Sequence, residues 1–472
     1  MVFYLGGTSA PIKASSPSIV KLRSGGHTTY MGQLDTKAFS HPAPNLSFQE
    51  REDFLLGQAL FKKLWTSSPS STKASDGLGP LYNGRSCLQC HVRAGGGHTP
   101  DQDKPGDNSL SLFLRLAVPA KSHSQKQQLM TGRLNAIPHP TYGSQLQDIS
   151  VAGIPAEGRL VVAYKEFEVT LAGPPPTTII LRQPTYTIED LQYGPLGPEL
   201  RISPRITPRL VGLGLLELIS QKDILANSDP SDKDGDGISG RPNMVWDKRA
   251  SRLVLGRFGW KGGQPNLDQQ IQAAFHGDMG LSTPLFPSHF GDCQPSQADC
   301  LHAPHGNSKK YENLEVPSVM TNLVLYYVRH LAVPHSRVTA ESQEGFGLFK
   351  SLGCDGCHRP HYKTITNNRQ EALSNQSIWP FTDMLLHDMG EGLADSLQEG
   401  RATGREWRTP PLWGIGKVKQ VTGHTHFLHD GRARSIEEAI LWHGGEAEAS
   451  RDAYARLSPN KRKLLLAFIN SL

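Results

Sequence analysis

No stretch of about 18 apolar residues occurs anywhere in the 472-residue sequence, so no transmembrane helix is expected. Strong charge of either sign is also missing. The formal net charge is +5, the basic residues are scattered, and no basic stripe interleaves with aromatics, which argues against a nucleic-acid partner. A mildly basic surface suits an acidic redox partner better. The N-terminal MVFYLGGTSAPIKASS has too short an apolar stretch, and no basic n-region, for a secretory signal. Cysteines are few, six in all. Glycine and proline are abundant instead, at 47 and 34 residues, so much of the chain must be loop. The length allows two or three domains.

The six cysteines fall into three pairs. Cys87-Leu-Gln-Cys90-His91 and Cys354-Asp-Gly-Cys357-His358 both spell C-x-x-C-H, the spacing at which haem c is attached. Two thiols so spaced can bond the two vinyl groups of one porphyrin, and the adjoining histidine, His91 or His358, reaches the iron as proximal ligand. A zinc site would instead need four ligands converging from both motifs, and a redox dithiol belongs in a βαβ pattern that is absent here. Two covalently bound haems and electron transfer between them are therefore expected. Cys293 and Cys300 lie in a polar loop with no histidine pattern and are expected to close a small disulfide, which implies an oxidising compartment. Haem c is attached outside the cytoplasm in bacteria, so the expected location is the periplasm, with the export signal not evident in this chain.

Residues 46–65 are patterned as an amphipathic helix, with Ser47 as N-cap and Glu50 completing a capping box. Helical patterning returns at 208–219, 267–275, 316–331, 340–352, 435–442 and 458–472, with Ser435 and Ser458 as caps. Between about 142 and 200 the pattern is β-rich and broken by Pro174 to Pro176. The expected fold is mainly α. An irregular arm covers 1–45, a first cytochrome c-like haem domain covers 46–335 with the small β-containing insertion inside it, and a second covers 336–472. The halves echo one another: each has a Gly-Gln-Ala-Leu-Phe or Gly-Phe-Gly-Leu-Phe helix stretch, then C-x-x-C-H, then an arginine-threonine-proline segment (Arg205 to Pro208; Arg408 to Pro411).

Within 229–243, Asp232, Asp234, Asp236, Gly237 and Ile238 match the start of a D-x-D-x-D-G-x calcium loop. Three carboxylates and the Ile238 carbonyl would offer hard oxygen ligands. The twelfth position is Asn243 rather than a bidentate glutamate, so the loop departs from an EF-hand, and Asp229 is a further candidate.

Three longer segments carry a resemblance: Asp76-Gly-Leu-Gly-Pro-Leu-Tyr-Asn-Gly-Arg-Ser-Cys87, Phe381-Thr-Asp-Met-Leu-Leu-His-Asp-Met-Gly390 and Glu406-Trp-Arg-Thr-Pro-Pro-Leu-Trp-Gly-Ile-Gly416. From about Gly25 to the C-terminus the chain resembles the di-haem oxidoreductase family, also labelled peroxidases or thiol oxidoreductases. That family is similar to the bacterial di-haem cytochrome c peroxidases and MauG-type enzymes. The resemblance implies that one haem handles electrons while the other meets hydrogen peroxide, with a small cytochrome or cupredoxin as donor and a calcium ion between the haem domains. By the same resemblance Trp260 matches a tryptophan between the haems. Asp278 falls near the position of a catalytic glutamate, where a carboxylate can move a proton on peroxide. His443, fourteen residues after His429 of His429-Asp430-Gly431, stands where peroxidases place a distal methionine. A histidine there gives the iron a lower potential than a thioether would.

Alternatives stay open at several of these positions. His276 or Met279 can instead close the first iron, Met389 rivals His443, and Trp260 can be a plain core aromatic. His424, His426 and His429 suit hydrogen bonding to haem propionates, and His387 and Met384 suit packing at a haem edge. The leading expectation is a periplasmic di-haem oxidoreductase, peroxidase-like, passing electrons from a donor through the second haem to the first. Its rival is a non-enzymatic carrier or redox sensor with both irons six-coordinate. Oxidation of a protein substrate, as MauG-type enzymes perform, is a third.

Overall fold

The computed structural model describes residues 23–100 and 111–472. The N-terminal stretch read for an export signal, and the first half of the expected arm, lie outside the described residues. The helix Phe48–Lys62 starts where the sequence predicts. Ser47 accepts from the Glu50 amide and Glu50 caps back, satisfying amides that the first turn would leave unpaired. The helix Ser318–Arg329 crosses it at Gly57, where a Cβ would stand 2.1 Å from the Leu323 carbonyl oxygen, so only glycine permits the approach. Four residues on, and so on the same face, Phe61 packs 5.1 Å from the Tyr327 ring and 6.1 Å from the His91 ring.

The second half repeats the device. The helix Ala340–Ser351, capped by Thr339, is crossed by the helix Pro459–Ser471 at Gly345, whose Cβ would meet the Leu464 carbonyl at 2.0 Å. Phe349 then lies 5.1 Å from Phe468 and 6.2 Å from His358. The echoed Gly-x-x-x-Phe stretches thus build one unit twice, a helix crossing with a phenylalanine pressed on a motif histidine. Ser458 makes no side-chain cap; Pro459 in the first turn does the starting instead.

The mainly α expectation, with two cytochrome c-like domains and a small β insertion in the first, does not hold. The structure is mixed, 31% helical and 20% strand, without two evident cytochrome c-like domains. Among the described residues its strands form seven two-stranded sheets. Several span only two to four residues, for example Leu386–Asp388 paired with Glu406–Arg408. Alternation over so few residues leaves no readable period.

The longest sheet pairs Arg159–Leu171 with Thr177–Glu189 in register over their full length. It is the expected β-rich segment, but it straps onto the far half rather than sitting within the near one. Tyr186 donates to Asp430 at 2.9 Å, Arg182 donates to the Gly431 and Arg432 carbonyls, and Arg434 donates to the Ile180 carbonyl. Leu171 and Leu181 are buried with Phe349, Trp442 and Phe468. A second cluster joins Phe54, Leu216 and Phe275 to Leu373, Met384 and Trp413, so one core draws on residues from both sides of position 335.

Candidate functional site

Both C-x-x-C-H motifs open onto a single cavity of about 720 Å³, lined by Cys87, Cys90 and His91 on one side and Cys354, Cys357 and His358 on the other. Cys87–Cys90 forms one helical turn, and the His91 amide donates back to the Cys87 carbonyl at 2.9 Å. Burial pushes the Cys87 and Cys354 thiols up to about 12, with Asp278 adding to the first and Asp355 to the second. Cys90 and Cys357 are also raised by burial. The two motif imidazoles are held neutral, each pulled down to about 4 by burial. A zinc site would need thiolates from both motifs gathered on one ion. The motifs do not converge in that way. Among the described residues, the one cluster of three or more acidic, histidine or cysteine side chains tight enough for an ion is Asp232, Asp234 and Asp236.

Around the second motif the imidazoles are fixed by their neighbours. His358 Nδ1 lies 2.9 Å from the Phe381 carbonyl, which that residue presents from a left-handed backbone (φ 55°). His443 Nδ1 lies 2.7 Å from the Ala439 carbonyl. With Nδ1 donating to a carbonyl, each ring keeps Nε2 as its ligating atom. Both rings line the cavity, and the charge of a protonated His443 depresses His358. Met389 lines the same wall, half-buried. His387 lines the cavity too. It is buried between Asp383 Oδ2 at 2.7 Å and Glu446 Oε2 at 2.6 Å, and stands 3.6 Å from Cys357 Sγ. Despite its burial, Cys357 and the two carboxylates raise it well above the usual imidazole range.

Around the first motif the helix Leu267–Met279 decides which side chains reach the cavity. Asn266 caps it, accepting from the Gln269 amide. Its face at Leu267, Gln270, Ile271, Ala274, Asp278 and Met279 lines the cavity. His276 stacks on Phe286 with centroids 5.3 Å apart and is not among the lining residues. Met279, three places on, is its neighbour on the helix surface, so the periodicity alone does not set it apart; the stacking on Phe286 does. Asp278 accepts from Gln145 Nε2 at 3.0 Å, and burial raises its carboxyl while Arg115 opposes. Trp260 lines the cavity too, donating Nε1–H to the Ile206 carbonyl at 2.8 Å and accepting at its own carbonyl from the Arg408 amide.

Cations and stacked rings at this site escaped the sequence reading. Trp407 is buried, stacked at 3.7 Å on His429 and covered by Lys261 Nζ at 4.2 Å. Burial pulls His429 down to about 3, so it faces the cavity as a neutral ring. Arg209 and Arg408 also line the cavity, each pulled down to about 10 by burial, and neither has a salt bridge among the described residues. A cavity walled by four thiols, the neutral imidazoles of His91, His358 and His429, and two guanidiniums without a salt bridge among the described residues fits porphyrins that carry vinyl groups, an iron and anionic propionates. His424 and His426 line it as well, beside His98.

The acidic loop is exposed, with oxygens of Asp232, Asp234 and Asp236 within 4.8 Å of one another. Asp229 Oδ2 accepts from the Lys233 amide at 2.6 Å, and Ile238 reaches the cavity against Gly356 of the second motif. Asn243 is buried elsewhere, donating to the Lys261 and Glu399 carbonyls. Cys293 and Cys300 sit at bonding distance. No helix among the described residues is long and apolar enough to cross a membrane.

A family model described as "Di-haem oxidoreductase, putative peroxidase" matches residues 19–472. Among curated proteins no relative matches. Among solved structures, hydrazine synthase of Kuenenia stuttgartiensis, pressurised with xenon, matches at 17% identity and a TM-score of 0.22. That match covers 33% of this chain and 55% of the other.

Proposed function

The chain belongs to the di-haem oxidoreductase family, and from that premise we propose that it is a peroxidase-like enzyme with two covalently attached haems. Haem redox chemistry follows from membership; the covalent attachment, the direction of electrons, the oxidant and the compartment are the proposal. The carrying observation is the single cavity walled by both C-x-x-C-H motifs. Cys87 and Cys90 would hold one porphyrin by thioethers with His91 as proximal ligand, and Cys354, Cys357 and His358 the other. Bound haem supplies one-electron chemistry at iron.

The chain's own residues supply orientation and protons. The carbonyls of Phe381 and Ala439 fix the rings of His358 and His443 with Nε2 inward, which supports a bis-histidine second site, with Met389 as the rival ligand. Asp278 is the acid–base group at the first site. Its raised carboxyl can hold a proton and give it up, while the Gln145 amide fixes its orientation. Trp260 is the aromatic wall between the two sites. Turning over one hydrogen peroxide to two waters consumes two electrons and two protons. An external donor, a small cytochrome or cupredoxin, would supply the electrons; the haem held by Cys354, Cys357 and His358 would receive them and pass them to the one at the first motif, and Asp278 would handle the protons. We place the protein in the periplasm, with a Cys293–Cys300 disulfide and a calcium ion on Asp232, Asp234, Asp236 and the Ile238 carbonyl.

Met279 favours a second reading. It is buried on the cavity face of the helix that carries Asp278, and as a ligand it would close the first iron and make the protein a carrier or sensor. Electron paramagnetic resonance of the oxidised protein separates the two. The enzyme reading predicts a high-spin ferric signal that Met279→Ala leaves in place. Two purely low-spin signals, with a high-spin one appearing only in Met279→Ala, favour the carrier. Asp278→Asn is expected to lower kcat/KM for peroxide by about 10²–10⁴ with both haems retained; an unchanged rate removes Asp278 from the mechanism.

A further inference from the structure

Five arginines line the cavity, and they differ in how their charge is met. Arg205 is paired with Glu399 at 2.5 Å, and Arg451 with Glu448 and Asp452. Arg115 lies in the field of Asp278, Asp292 and Glu399. Among the described residues, Arg408 is in the field of Asp383 alone, and Arg209 is in that of no carboxylate. Taking a guanidinium out of water without a counter-charge is strongly unfavourable. Such a cost is tolerated where an anion completes the site.

The hydrogen bonds of this pair cross the molecule. Arg209 follows Pro208, whose backbone touches the His91 imidazole, yet its Nη2 donates to the Pro411 carbonyl of the second half at 2.9 Å. Arg408 lies in the strand paired with Leu386–Asp388 beside the second motif. Its Nε donates to the Gly259 carbonyl of the first half at 2.9 Å and its Nη1 to its neighbour Thr409 at 2.9 Å. A guanidinium carries five N–H donors. One of them in Arg209 and two in Arg408 meet described partners, and the remainder have none among the described residues. Planar forks with donors to spare match carboxylates in a bidentate geometry.

We propose that Arg209 and Arg408 are the anion clamps of the cavity, Arg209 binding a propionate of the first haem and Arg408 one of the second. They are positioning residues rather than catalytic ones. Each is anchored to backbone of the opposite half, so loading either haem would brace the junction at Trp260. A cation bound at a propionate also favours the less positive ferrous iron and so raises that haem's potential.

This inference rests on haem binding, and the test keeps the two apart. Full-length wild type, Arg209→Gln, Arg408→Gln and the two lysine variants are matured with a haem-attachment system, and bound haem is counted by mass. Potentials of both haems are then titrated spectroscopically, and the propionate bending bands are read by resonance Raman. The expected result is that Arg209→Gln lowers the potential and shifts the propionate band of one haem, and Arg408→Gln those of the other. Each lysine variant should recover most of the potential but not the band. If a glutamine variant does not mature, its lysine variant decides by the band alone. Unchanged potentials and bands in variants carrying two haems overturn the clamps, whereas a wild type without haem overturns the haem reading itself.

Discussion

Glu157 shows what single residues contribute behind the first motif. It is 1% exposed, accepts from the Gln147 amide and Gln297 Nε2, and burial pushes its carboxyl from 4.5 up to about 8. In the unfolded chain it ionises near 4.5, whereas in the fold it stays protonated until about 8. The stability it contributes is therefore complete below about pH 4.5 and is lost as the pH rises through 8, about 4 to 5 kcal/mol over that window. Denaturant unfolding of wild type and Glu157→Gln across pH 5–8 checks this. The wild type should weaken as pH rises while the variant stays flatter, and parallel curves refute it. At this scale the haem attachment read from the two motifs stands as the proposal, and the cysteine and histidine spacing that prompts it was visible in the sequence. The burial of Arg209 and Arg408 was not, since nothing in the sequence marks which arginines will be buried without a partner. The stacking of His276 on Phe286 was not readable either, because the partner ring lies in a loop beyond the helix.

Elements were legible where they are long. The capped helices at 48–62, 267–279 and 340–351 and the uncapped one at 318–329 follow their periodicity closely, and the glycines repeated inside two of them turn out to be crossing points. Gly345→Ala would drive a methyl to 2.0 Å from the Leu464 carbonyl. The expected cost is about 1–3 kcal/mol by overpacking, readable in thermal unfolding; a variant as stable as wild type would mean that the crossing yields freely. The short paired strands could not be foreseen, because their partners lie far along the chain and each offers only two to four residues of pattern. For the hairpin 159–189, strand character was plain but destination was not. The polar side chains that dock it, Tyr186 and Arg182, read as ordinary strand residues. Asp430 joins that strap to the second half, accepting from Tyr186 and Arg432 in full burial, and Arg432 holds its carboxyl well below the usual range. Asp430→Asn should cost about 3–5 kcal/mol by leaving Arg432 uncompensated, whereas a loss under 1 kcal/mol would show the strap to be dispensable.

At the scale of the whole molecule, the two motifs share one cavity instead of occupying two separate pockets, and cores, hairpin and crossed arginines all tie the halves together around it. The mainly α expectation with two cytochrome c-like domains was drawn from a duplicated pattern in which the duplication was visible and the shared cavity was not. The central claim is that porphyrin is bonded through thioethers at both motifs. Intact and peptide mass spectrometry of the chain, expressed with a working haem-attachment system, tests it most directly. Two haem additions are predicted, one on the Cys87–Cys90 peptide and one on the Cys354–Cys357 peptide. Four unmodified thiols under those conditions would contradict it.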